Sequence, residues 1–97
     1  GAGGPSQELA LAFALEVAGR GGVALGALDT DGTDGPTDIA GGLTDGETVS
    51  RAEGLGLDPF EHLRLHDASG LLARTGDAVV TGNTGTNLCD LNVIFVA

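Results

Sequence analysis

Lysine, methionine, tryptophan and tyrosine are all absent from this 97-residue chain. Its four basic residues are all arginines, Arg20, Arg51, Arg64 and Arg74, set against 14 acidic side chains, for a net charge of -10. So few cations cannot neutralise a row of phosphates, which excludes general nucleic-acid binding. Attachment to an anionic membrane surface is disfavoured for the same reason. Without lysine there can be no G-x-x-x-x-G-K-[ST] phosphate loop. Cysteine occurs once, at Cys89, so an intramolecular disulfide and a cysteine zinc site are excluded, and a small buried apolar role is expected. No stretch reads as a signal peptide or is long and apolar enough to span a bilayer, so a cytoplasmic protein is expected. The acid excess with no lysine is also the composition of salt-loving or high-GC sources.

Hydrophobic residues make up 41% of the chain and charged residues 19%. That is enough apolar material for one packed core, and it argues against disorder. A domain this short buries a small share of its surface and would gain from a partner domain. The opening Gly1-Ala2-Gly3-Gly4 reads as a loop and the closing Asn92–Ala97 as a buried strand. This predicts a cut inside a longer chain on the left and a natural terminus on the right.

Pro5 and Ser6 can open a helix, with Ser6 as its cap and Glu8 suited to the positive helix start. The run from Leu9 to Ala18 is apolar almost without a break, which predicts a helix buried on most sides with Phe13 in the core, ended by Gly19. Val23–Leu28 reads as a central parallel strand buried on both faces. Thr30–Asp38 (TDGTDGPTD) reads as a loop, with Thr37 or Asp38 able to cap a short helix through Gly41. Leu43–Val49 fits either a hairpin around Asp45-Gly46 or the start of a Thr48-capped helix running to Glu53. Asp58-Pro59 opens a short helix carrying Phe60, Leu63 and Leu65, and another runs from Ala68 to Arg74. Ala78–Thr81 and Asn92–Ala97 are β-branched strands, with the last strands able to run antiparallel to the rest. The predicted fold class is α/β: a layered domain with a mixed, mostly parallel sheet flanked by helices.

Two glycine-rich polar loops carry the chemistry, TDGTDGPTD after the first strand and TGNTGTN (Thr81–Asn87) after Ala78–Val80. Ligands in open α/β sheets bind beyond the C-terminal ends of strands. Backbone N–H groups of such loops can cradle an anion. Asp31, Asp34 and Asp38 are able to position a hydroxyl substrate or hold magnesium through water. The alternative is two tight turns closed by side-chain hydrogen bonds. His62 and His66 are four apart and can share a helix face, but HLRLH lacks the glutamate of H-E-x-x-H. A surface or partly packed role is expected for both. Ser50 and Ser69 lie in no nucleophile turn.

GGPSQELALA (Gly3–Ala12), TDGTDGPTDIAG (Thr30–Gly41) and TGNTGTNLCDL (Thr81–Leu91) together resemble the C-terminal, or MOFRL, domain of the glycerate 2-kinase family, whose members are often labelled hydroxypyruvate reductases. The resemblance runs in order over nearly the whole chain. It implies a two-domain enzyme whose N-terminal Rossmann-like domain is the partner and lies outside residues 1–97. It further implies transfer of phosphate from ATP, with Mg2+, to the 2-hydroxyl of a small hydroxy acid in the interdomain cleft. The implied catalytic residues are Asp31, Asp34 and Glu8, with Asp31 and Asp34 as magnesium ligands through water. The implied substrate-binding residues are Gln7, Gly32, Gly85, Thr86 and Asn87. The family's active-site lysine belongs to the other domain, in keeping with its absence here. His66-Asp67-Ala68-Ser69 departs from the family's usual run.

Phosphoryl transfer is mostly positioning and charge stabilisation and requires cations around the phosphates. A chain offering carboxylates, hydroxyls and backbone N–H groups supplies only half of such a site. Two other readings stand beside it. One is a stand-alone, non-catalytic ligand-binding or structural domain. The other is part of a hydroxypyruvate reductase, for which no dinucleotide fingerprint is present.

The charge excess has a direct consequence for stability. Salt screens exposed charges over a Debye length of roughly 8 Å at physiological ionic strength, so the melting temperature of the chain should rise with sodium chloride. A flat or falling melting curve would show that self-repulsion costs little here.

Overall fold

The computed structural model describes residues 3–29, 39–80 and 90–96, with Asp90 described by its backbone alone. The elements run α1 (Pro5–Glu16), β1 (Val23–Asp29), β2 (Gly41–Asp45), α2 (Thr48–Gly54), α3 (Pro59–Arg64), α4 (Ala68–Thr75), β3 (Ala78–Val79) and β4 (Asp90–Val96). The four strands form one sheet in the order β3-β2-β1-β4. The α/β class therefore holds.

The expected mostly parallel sheet does not hold. Every pairing is antiparallel: Gly26 faces Leu43 on one side and Val93 on the other, and Gly41 faces Val79. The segment between Asp29 and Gly41 is too short for the crossover of roughly a dozen or more residues that parallel neighbours need. Nor is β1 buried on both faces. Leu25 and Ala27 are buried while Ala24, Gly26 and Leu28 between them are only partly so, the alternation of a sheet packed on one side.

That packed side is covered by α1 and α4. A Cβ placed at Gly42 would lie 2.9 Å from both the Ala10 Cβ of α1 and the Leu72 Cδ1 of α4. Thr44 Oγ1 donates to the Ala10 carbonyl at 2.7 Å. Behind these helices, α2 and α3 complete the layer, and Ala10, Leu11, Ala52, Ala68, Leu71 and Leu72 form the core, with Leu57 and Leu63 packed against it. The helices thus lie on one face rather than flanking the sheet on two.

Local chemistry explains most boundaries. In α1, Pro5 occupies the first turn as expected, but the cap is Gly4, not Ser6, and no side chain bonds the helix start. The helix stops at Glu16, and Gly19, at φ +85°, turns the chain back toward Gly46. Asp58 caps α3 by accepting from the Phe60 and Glu61 amides at 3.1 and 3.3 Å. Gly76, at φ +84°, ends α4 in the left-handed conformation that favours glycine. The segment around Gly41 is strand, not the end of a short helix, because its backbone pairs with Leu28 and Val79. The hairpin around Asp45-Gly46 is likewise replaced by β2 running into α2; Glu47 takes the cap position there, and Thr48 Oγ1 accepts from the Asp45 amide at 3.0 Å.

Two expectations about α1 are corrected by which side it buries. Ser6, Gln7, Ala10, Leu11, Ala14 and Val17 are enclosed, a stripe at helical spacing, while Leu9 is exposed and Phe13 only half-buried. The apolar sequence covers the whole circumference, but the sheet lies on one side of it. Cys89 lies outside the described residues.

Leu11→Ala should therefore cost about 2–5 kcal/mol, as fully buried leucines do, and Phe13→Ala less than that. A denaturant titration in which the Phe13 change costs more would overturn this placement. A Cβ at Gly41 would collide with the Ala27 carbonyl and the Leu28 Cα. Gly41→Ala should thus destabilise the β1–β2 pairing more than Gly54→Ala, where nothing lies within 4 Å of the added carbon.

Candidate functional site

The antiparallel order brings four strand ends together. Asp29 closes β1, Gly41 opens β2, Val79 closes β3 and Asp90 opens β4, and all four are on the same end of the sheet. The Asp29 amide donates to the Ala40 carbonyl at 2.8 Å, and the Ala40 amide donates to the Val79 carbonyl at 2.8 Å. These residues anchor the two glycine-rich segments. The anchors of residues 30–38 are Asp29, at the end of β1, and Ile39, two residues before β2, the two inner strands. The anchors of residues 81–89 are Val80 and Asp90, at opposite edges of the same sheet. Both segments leave and re-enter the sheet at this same end. Asp31, Gly32, Asp34, Asp38, Gly85, Thr86 and Asn87 themselves lie outside the described residues.

Helix α1 points its first turn at this same end. Ala10 sits against Gly42 and Thr44, while the chain just beyond α1 meets the far end of β2, where the Gly19 amide donates to the Gly46 carbonyl at 2.8 Å. The helix therefore runs parallel to β2, and Gln7 and Glu8 lie toward Gly41. Gln7 is fully buried and Glu8 partly exposed. Ser69 Oγ donates to Gln7 Oε1, and His66 Nδ1 bonds Glu8 Oε1. The α3–α4 junction is close enough that a Cβ at Gly3 would lie 3.1 Å from the Ala68 amide nitrogen.

Ser69 and His66 are thus neighbours of the two site residues on α1, which sequence reasoning did not propose. They stand 62 and 58 residues away along the chain, so no periodicity links them. The one hint was that both fall in the segment that departs from the family pattern. His62 and His66 do not share a helix face, because α3 ends at Arg64 and His66 adopts a left-handed φ of +54°. His62 bonds the Asp67 carbonyl through Nδ1 at 2.9 Å. The surface or partly packed role expected of both fits this geometry.

Cations are scarce at this end. Arg51 Nη2 contacts Asp77 at 2.9 and 3.1 Å. Partial burial acts to lower the Arg51 pKa, but the hydrogen bond and charge of Asp77, with Asp45 and Glu47, outweigh it and the net direction is upward. Arg64 pairs with Glu61 at 2.8 Å, and that bond holds the Glu61 carboxyl below its ordinary value. Arg20 borders a separate concavity of about 410 Å³ at the opposite end of the sheet, beside Asp45, Gly46 and Phe95, which contains none of the proposed site residues. Among the described residues no group of three or more His, Cys, Asp or Glu side chains is arranged to hold a metal ion. The described side chains alone therefore fit neither a nucleotide's phosphates nor a magnesium ion. Nor is any described helix long and apolar enough to cross a membrane.

Comparisons with known proteins agree on one family. The MOFRL family model matches residues 1–90. The chain is 47% identical over 91 residues to D-glycerate 2-kinase of Thermotoga maritima, which covers 94% of this chain and 22% of that protein. It is 40% identical over 96 residues to glycerate 2-kinase of Pyrococcus horikoshii, covering 99% of this chain and 22% of the relative. A crystal structure of glycerate kinase from Thermotoga maritima superposes with a TM-score of 0.97 at 44% identity, covering 100% of this chain and 23% of that one. The chain spans about a fifth of the length of these relatives. With nearly every residue matched in sequence and in fold, this chain belongs to the MOFRL family.

Proposed function

We propose that the chain is the C-terminal domain of an ATP-dependent glycerate 2-kinase and forms one wall of the cleft in which phosphate passes to a small hydroxy acid. The observation that carries the reading is the convergence at one sheet end: the anchors of two segments, one on the inner pair of strands and the other on the outer pair, with the first turn of α1 beside them. The relatives' names supply the chemistry: kinases acting on glycerate.

In this reading Asp31, Asp34 and Glu8 orient the substrate hydroxyl, and one of these carboxylates accepts its proton as the hydroxyl oxygen bonds the γ-phosphorus of ATP and the bond from that phosphorus to the departing ADP breaks. Gly32, Gly85, Thr86 and Asn87 offer N–H and hydroxyl donors to the rest of the substrate. Gln7, enclosed and held by Ser69, fixes the first turn of α1 and with it the Glu8 carboxylate. ATP and the cations that meet the phosphoryl charge belong to the other wall, an N-terminal Rossmann-like domain of the same parent chain, and Mg2+ would lie between the walls with Asp31 and Asp34 reaching it through water. The committed pairing of Arg51 and Arg64 supports that division of labour.

The isolated 97 residues should not phosphorylate glycerate, and the full-length parent should. In the parent, Asp34→Asn should lower turnover by about 10²-fold or more, the scale of losing a general base, with an unchanged melting temperature. Activity from the isolated chain, or normal turnover in the variant, would overturn the assignment.

A further inference from the structure

Strand β4 is seven residues long and, among the described residues, lies at the edge of the sheet with β1 as its one neighbour. Edge strands of lone domains are blunted by lysine, proline, bulges or covering elements. After Asp90, β4 reads Leu-Asn-Val-Ile-Phe-Val and carries no charge and no proline. Its large side chains are exposed on both faces: Ile94 is 60% accessible on the helix side and Phe95 56% on the other. On that second face Leu91, Val93 and Phe95 join Leu28 and Leu43 in a wholly apolar depression of about 200 Å³ around Gly26. An apolar, uncharged edge of this length templates aggregation unless it is covered.

We infer that, in the longer parent, a segment from outside these 97 residues docks along β4, pairs with its free edge as a further strand and covers the apolar face with it. The length of the relatives points to this occupant, since about four-fifths of each lies beyond the matched region. A second copy fits poorly, because each copy brings a net charge of -10 and edge-to-edge pairing would bring like charges together. Main-chain hydrogen bonds along the edge supply the affinity, and alternate side chains entering the depression supply the register. The inference rests on the length of the parent and not on its chemistry. A parent without kinase activity but with β4 covered would remove the kinase reading and leave this one standing.

The test uses the full-length parent. Amide hydrogen exchange should show protection at every position of 91–96, including the alternate amides that β1 does not bond. Fast exchange at alternate positions, the signature of an open edge, would overturn the inference. Replacing Phe95 with photoreactive benzoylphenylalanine supplies a second, independent readout. Irradiation should join it to a peptide from outside the 97 residues within one molecule. A product of twice the mass, or no cross-link beyond the 97 residues, would show that the face is covered by another copy or by nothing.

Discussion

The close approach of α1 to β2 organises this domain. Gly42 leaves room for the Ala10 Cβ and the Leu72 Cδ1 at one point of the sheet, and the Thr44 hydroxyl reaches the Ala10 carbonyl in the gap beside it. Any side chain at position 42 would have to displace the Ala10 Cβ and the end of the Leu72 side chain. Because the contact is so tight, the direction of α1 is set by β2, and its first turn is carried to the sheet end where both glycine-rich segments are anchored. The position of that first turn is thus a consequence of packing at Gly42.

A second set of contacts holds the helical layer in place. Asp77, at the α4–β3 junction, receives Arg51 from α2 and the Thr75 hydroxyl at 2.8 Å, while its carbonyl accepts from the Leu43 amide at 2.9 Å. Helix α2, helix α4 and strand β2 therefore meet on one residue. The same carboxylate commits one of the chain's few cations to structure.

The two faces of the sheet divide the domain's tasks. One face holds the helices and the core. The other, with β4 beyond it, is apolar and, among the described residues, open. A small domain buries a small share of its surface, and this chain spans about a fifth of the length of its relatives. The site end and the uncovered edge meet at the start of β4, where a docked segment would come close to the anchors of residues 81–89.

Much of this was legible in the residues alone. The glycine and aspartate clusters, the helix starts at Pro5 and Pro59, and the strands at Val23 and Asn92 follow from backbone preference and apolar pattern, which are local properties. The family was legible because its two loop motifs occur together and in order. Strand direction was not legible: VALGALD is apolar throughout, and only its neighbours decide whether it lies between two layers or under one. Gly41–Asp45 hid as a strand because two glycines and an aspartate carry no β signal, and pairing with Leu28 and Val79 supplies what propensity does not. The same holds for Phe13, whose burial depends on which side of an all-apolar helix meets the sheet. The bonds of His66 to Glu8 and Ser69 to Gln7 join residues about sixty positions apart. Sequence determined which groups were available; the tertiary fold decided which of them meet, because contact between distant residues is set by packing and not by their order in the chain.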